Sequence, residues 1–338
     1  MSKNIPLDAP QLTWQGAASL ERTSDGVMPW RINHEERDLF PPMDWHGRLK
    51  QPAGVRLTFR SNTQMVAGTA EINAQQGPID IYCDGGLHAA LKIQEGRFNA
   101  DGLPAGEKLV EVWLPHNVEF RLKSLELSDG ASLRKYRDPR PRWVVYGSSI
   151  THCRRSEMPS MTWPGVVARE AGLNLTCLGF GGSCHLDPMI ARMVRDMPAD
   201  YLTMKVGINI YAASSLSPRT FRAGIIGFVK TVREKHPETP FAVISPIISP
   251  PRETTPNSVE FTLSAMREEV ADAVARLRAN GDKNLHYFNG FKLFGPEHLE
   301  MMPDGLHPDA EGCKLMGYNF LREVWPILTG TPVKREAQ

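Results

Sequence analysis

The hydrophobic periodicity of this chain changes near residue 140, and that change limits the possible fold more than any other feature. Before it, apolar residues alternate: Val55, Leu57 and Phe59; Ile79, Ile81 and Cys83; Val110, Val112 and Leu114; Val118, Phe120 and Leu122. Period-two runs broken by N-x-x, Q-G, D-G-G and P-H-N turn signals predict half-buried antiparallel strands. The next apolar pair after Leu122 is Leu125 and Leu127, so the phase slips, which predicts a bulge or bend. No amphipathic helix is legible between residues 10 and 135, and the first half reads as an all-β sandwich.

After residue 142 short apolar runs alternate with segments of helical period. Strands are expected at 143–147, 175–180, 201–207, 241–248 and 284–290. Helices are expected at about 162–171 (with Pro164 in the first turn), 190–197, 217–236, 259–280 and 309–328. Five buried strands alternating with helices predict a parallel sheet covered on both faces. The two halves meet in RKYRDPRPR (134–142), whose five Lys/Arg read as a solvated connector rather than a nucleic-acid patch. The expected division is a β domain over 1–136, a linker at 137–142, an α/β domain over 143–330 and a tail at 331–338.

Lys+Arg number 39 and Asp+Glu 38, for a net charge of +1. That excludes the global basic excess of a chain that lives on nucleic acid or an anionic membrane. The five cysteines, Cys83, Cys153, Cys177, Cys184 and Cys313, are odd in number and form no C-x-x-C pair. They predict reduced thiols and a cytoplasmic protein. The N-terminal MSKNIPLDAPQLTW lacks the apolar core of a signal peptide, and no apolar run approaches the ~18 residues of a membrane span.

In an open parallel sheet, ligands bind beyond the carboxyl ends of the strands. The segments placed there are Gly147-Ser148-Ser149-Ile150-Thr151 after the first strand and Gly179-Phe180-Gly181-Gly182-Ser183-Cys184-His185 after the second. Gly207-Ile208-Asn209 follows the third, and Asp304-Gly305-Leu306-His307-Pro308 follows the fifth after a loop. Each is weak alone; their order and placement are not easily accidental. Together they resemble the SGNH (GDSL-type) hydrolase superfamily over residues 142 to about 328. The resemblance implies a flavodoxin-like three-layer α/β/α fold, with nucleophile Ser149, triad partners Asp304 and His307, and an oxyanion hole of Ser149, Gly182 and Asn209. Ser148 stands where the family's G-D-S motif has Asp, a departure outside the triad. Upstream, Gly77-Pro78-Ile79-Asp80-Ile81-Tyr82 resembles the G-x-D-L-Y signature of a jelly-roll-like β domain that precedes one branch of these enzymes.

The residue chemistry agrees. A serine hydroxyl needs an adjacent base to take its proton, and His307 is the candidate, since imidazole is the side chain most often used as a general base. Asp304, three residues earlier, shares a face with it in a helical turn and can hold the ring's Nδ1–H. Backbone N–H groups of Ser149 and Gly182 and the Asn209 amide can meet a developing oxyanion.

Competing assignments are Ser149 as a mere helix cap, Ser183 as the nucleophile and Cys184-His185 as metal ligands. No G-x-S-x-G elbow is present, which argues against an α/β-hydrolase. His185 and Arg252 are candidate substrate-binding residues, the latter for an anionic acyl group. Trp30 and Trp45 are candidates for sugar stacking, with core packing the ordinary alternative. The expected activity is cleavage of an oxygen ester of a small molecule or carbohydrate through acyl-Ser149, with no metal or other cofactor. An acyltransferase using the same triad, or a carbohydrate-binding protein with a silent hydrolase domain, are the alternatives. Homo-oligomerisation is left open. The short prolyl connector predicts that the β domain walls the cleft rather than acting as a tethered module.

Overall fold

The computed structural model describes residues 2–40 and 47–330. The strands from Ser2–Ile5 to Phe120–Ser128 join in one antiparallel sheet of eleven strands. Lys108–Trp113 lies between Arg56–Ser61 and Gln76–Cys83, and Phe120–Ser128 between Met65–Ile72 and Gly26–Trp30. The sheet curls into a sandwich-like half-barrel around the alternating residues of the sequence, among them Val55, Leu57, Phe59, Ile79, Ile81 and Val110. Between Leu122 and Ser124 the register against Met65–Ile72 shifts, the bulge that the phase slip required. Among the described residues this half holds no α-helix, only the short 3-10 turns His34–Leu39 and Arg48–Lys50.

The second half is a five-stranded parallel sheet. Its order is Asn174–Gly179, Arg142–Gly147, Tyr201–Lys205, Phe241–Ile244 and Leu285–Phe288, the doubly wound 2-1-3-4-5 arrangement. Right-handed crossovers send the first connection to one face and the next three to the other. Trp163–Glu170 accordingly packs on Ala310–Glu323, while Pro218–Arg233 packs on both Pro188–Asp196 and Leu263–Ala279. Thr162 caps the first of these through the N–H of Gly165, with Pro164 in its first turn as expected. The helix expected at 259–280 begins only at Leu263, after Thr262 as its cap. Among the described residues no helix is long and apolar enough to cross a membrane.

The two halves share one apolar core: Met28, Trp30, Ile32, Leu49, Tyr82 and Trp113 from the β half join the interior of the α/β half. Asn174–Gly179 is an edge strand, and an edge leaves a row of unpaired carbonyls. Two buried arginines of the β half fill that row. Arg56 donates to the Leu175 carbonyl and the Asn174 side chain at 3.1 and 2.6 Å, and Arg31 to the carbonyls of Cys177 and Gly179 at 3.5 and 2.5 Å. The Asp80-Ile81-Tyr82 element is a second clamp. Asp80 Oδ2 accepts the Ser160 N–H (2.9 Å), and the Tyr82 hydroxyl donates to Ser160 Oγ (3.0 Å).

The connector is not freely solvated. Arg134 pairs with Arg60 in an isolated bridge, and Arg140 is half-buried in ion pairs with Asp138 and Glu111. The expectation of five reduced thiols is also corrected. Cys153 and Cys313 form a disulfide with their Cα atoms 6.5 Å apart, a separation that disulfide geometry permits. Folding brings together two cysteines 160 residues apart, a pairing that spacing alone could not indicate. Cys83, Cys177 and Cys184 are free. Trp30 is buried, with its indole N–H on Glu21 Oε2 at 3.0 Å, so it is a core residue and no sugar platform. Trp45 lies outside the described residues.

Candidate active site

The segments after the first and third parallel strands flank the point where strand order reverses, the crevice such sheets use for ligands. Ser149 opens the helical turn Ser149–His152 directly after Arg142–Gly147. Ser148 is the N-cap of that turn, its hydroxyl accepting from the Ile150 N–H. Ser and Asp are interchangeable as caps, which accounts for serine where the G-D-S motif has aspartate. The Ser149 N–H is among the first of the turn and has no intrahelical acceptor. The turn sits against the neighbouring strand because position 179 is glycine: a Cβ there would lie 2.3 Å from the His152 nitrogen.

Asp304 and His307 do not share a helical turn. They lie in a tight loop, where Asp304 Oδ1 accepts the N–H groups of Leu306 and His307 at 3.0 and 2.7 Å. This Asx-type turn still aims the carboxylate at the ring: His307 Nδ1 donates to Asp304 Oδ2 at 2.8 Å, and Ser149 Oγ lies 2.9 Å from His307 Nε2. The three side chains therefore form one hydrogen-bonded chain. Burial alone would raise the Asp304 carboxyl. The N–H and ring of His307, with the Leu306 N–H, outweigh it and lower the group to about 2. Arg155 also donates to Asp304 Oδ2, at 2.8 Å.

Asn209 is buried at the start of Ile208–Ala213 and accepts the Cys184 N–H on Oδ1 at 3.1 Å, leaving the amide Nδ2 as its other polar end. Gly182 has φ +78°, a left-handed value, and among the described residues nothing stands within 4 Å of where its Cβ would be. Glycine serves here for conformation and for open space facing the cleft. Ser149, Gly182, Asn209, Asp304 and His307 all line one cleft of about 500 Å3.

Of the other candidates, neither His185 nor Arg252 lines that cleft. His185 Nε2–H donates to the Gly182 carbonyl (3.0 Å), and its Nδ1 accepts from Ser215 Oγ (2.7 Å), so it braces the glycine loop from behind. Arg252 donates to Ser249 Oγ (2.9 Å), and Ser249 in turn donates to the Gly305 carbonyl (2.6 Å), which secures the Asp304–His307 loop. Ser183 is likewise outside the cleft. Among the described residues no group of three or more His, Cys, Asp or Glu is placed to hold a metal ion.

The cleft also contains residues the sequence did not single out: Arg48, Arg154 and Arg155. The adjacent pair directly after Thr151-His152-Cys153 offered a signal. Arg48 offered none, because it comes from the β half and is more than a hundred positions from Ser149. Its presence makes the β domain a wall of the cleft. Below the nucleophile turn, buried His152 donates from Nε2 to the carbonyl of buried His116, another β-half residue, at 2.6 Å. Desolvation lowers both imidazoles, His116 to about 4 and His152 well below its usual value.

Residues 140–324 match the model of the GDSL-like lipase/acylhydrolase family, and residues 12–123 match the N-terminal domain described for SsfX3. Among solved structures, the salicylyl-acyltransferase SsfX3 from a tetracycline biosynthetic pathway is 35% identical. The match covers 98% of this chain and 99% of that one, with a TM-score of 0.91. A putative GDSL-like lipase from Bacteroides ovatus is 25% identical, with 97% and 98% covered and a TM-score of 0.78. A family two carbohydrate esterase from Clostridium thermocellum shares the fold at 12% identity, with 95% and 100% covered and a TM-score of 0.66. A comparison with curated proteins finds no match.

Proposed function

The chain belongs to the GDSL-like lipase/acylhydrolase family, and from that premise we propose that Ser149 is the nucleophile of an acyl-transfer reaction on an oxygen ester. Ser149 Oγ attacks the ester carbonyl while His307 Nε2 takes its proton. Asp304 keeps the Nδ1–H tautomer and stabilises the imidazolium. The carbonyl oxygen becomes an oxyanion met by the N–H groups of Ser149 and Gly182 and by the Asn209 amide. Each such donor is commonly worth roughly 10²–10³ in rate. Collapse breaks the ester bond, and His307 returns the proton to the departing alcohol. Water then attacks acyl-Ser149 with His307 again as base, releasing the acid and the free serine.

The observation that carries this reading is the pair of distances along one line, 2.9 Å from Ser149 Oγ to His307 Nε2 and 2.8 Å from His307 Nδ1 to Asp304 Oδ2. A second reading replaces the water by an acceptor alcohol. It is favoured by the similarity along the whole chain to a salicylyl-acyltransferase. The test is labelling with a fluorophosphonate followed by peptide mass mapping. The adduct is expected on Ser149 and absent from Ser149→Ala, while Ser183→Ala is labelled like the native protein. An adduct on any other residue overturns the assignment. Product partitioning between acid and new ester, with acceptor alcohols added, separates hydrolysis from transfer.

A further inference from the structure

We propose that Arg48 and Arg154 form a recognition site for an anionic group, of carboxylate or phosphate type, that the substrate carries beside its scissile ester. The inference rests on the acyl-Ser149 reading. Both arginines line the cleft together with Ser149 and Gly182. Arg48 is close to the reacting centre. The point where a Cβ on Gly181 would sit is 3.1 Å from Arg48 Nε and 3.6 Å from Ser149 Cβ. Its backbone is anchored as well, because the Arg48 carbonyl accepts from buried Arg31 at 2.5 Å.

Among the described residues these charges have no partner that would explain them as structural. Arg155 is engaged by Asp304. Asp304 is also the sole carboxylate lining the cleft among the described residues, and it is already shared with His307. Among the described residues the Arg48 side chain reaches only the neutral Gln51 Oε1, at 3.4 Å, and its buried Nε has no acceptor. Arg154 makes no side-chain hydrogen bond or ion pair among the described residues. Partial burial of two guanidiniums of like charge, with no carboxylate of the described residues between them, is unfavourable. Desolvation lowers the pKa of both, and for Arg48 the charge of Arg154 adds to it. An incoming anion removes that repulsion, and the planar fork of arginine matches two oxygens of a carboxylate or phosphate. A neutral ester leaves both cations uncompensated.

The test uses the full chain and two matched pairs of chromogenic esters. One pair places the charge on the acyl group, p-nitrophenyl hemisuccinate against p-nitrophenyl butyrate. The other places it on the leaving group, 3-carboxy-4-nitrophenyl acetate against p-nitrophenyl acetate. In one of the two pairs kcat/KM is expected to favour the charged member by about tenfold or more, and the pair identifies which part of the substrate bears the anion. Added salt should shrink that ratio. Arg48→Met and Arg154→Met should each bring it towards one, and Arg48→Lys should keep part of it. If the native protein turns over the neutral esters and is labelled on Ser149 but shows no preference for either charged member, the anion site is refuted and the acyl-serine reading stands. If Ser149 is not labelled and no ester reacts, both fall. The native ratio and its salt dependence decide the matter even if an arginine variant fails to fold.

Discussion

Arg155 and His307 donate to the same oxygen, Oδ2 of Asp304, each at 2.8 Å. The carboxylate does not depend on the arginine for its place, because Oδ1 is fixed by the backbone N–H groups of Leu306 and His307. Asp304→Asn is therefore expected to lower kcat by about 10³–10⁴, since the amide no longer selects the right imidazole tautomer. Arg155→Met, an exposed ion pair of small worth, should cost only a few-fold. With its carboxyl held at about 2, Asp304 stays charged throughout the working range. Loss of rate on the acid side of neutrality should thus not come from protonation of Asp304. Steady-state rates across pH for both variants check all three statements.

Arg31 connects the β half to the edge of the parallel sheet and to the backbone of Arg48. Arg31→Met should strand the carbonyls it serves and destabilise the fold by about 2–4 kcal/mol. Urea unfolding monitored by tryptophan fluorescence measures the loss. An unchanged midpoint would mean that the seam is stabilised mainly by its apolar contacts.

The buried pair His116 and His152 makes the seam sensitive to acid. Both folded pKa values lie below the ordinary 6.5, His116 at about 4. As pH falls from about 6.5, the unfolded chain binds protons that the folded chain refuses, so stability falls. For His116 the loss is complete at about pH 4. By pH 5 the cost is at most about 2 kcal/mol for each histidine. Unfolding midpoints at pH 7.5 and 5.5 should differ in that direction, and His116→Gln should reduce the difference.

The pairing of Cys153 with Cys313 predicts a thiol count. Denatured and unreduced, the protein should present the three free thiols Cys83, Cys177 and Cys184 to a thiol reagent. After reduction it should present five. Five before reduction would return the two cysteines to the reduced state that their odd number and spacing suggested.

What the sequence determined by itself was whatever depends on neighbours along the chain. Alternation placed Val55, Leu57 and Phe59 inside the β half, and the phase slip after Leu122 marked its bulge. Apolar runs between helical segments marked all five parallel strands, and short-range order set Ser149, Gly182, Asn209 and the Asp304–His307 loop at their ends. These follow from side-chain periods of two and 3.6 and from turn residues, which operate over a few positions. The tertiary structure alone decided what sits opposite. It turned His185 and Arg252 onto the protein's own loops, joined two distant cysteines, and buried Arg31 and Arg56 against an edge strand more than a hundred residues away. It also set Arg48 beside Ser149. The reason is physical: a long cationic side chain with no local partner has many equivalent directions along the chain. Only the packing of one domain on the other selects the carbonyls, or the cleft, to which it points.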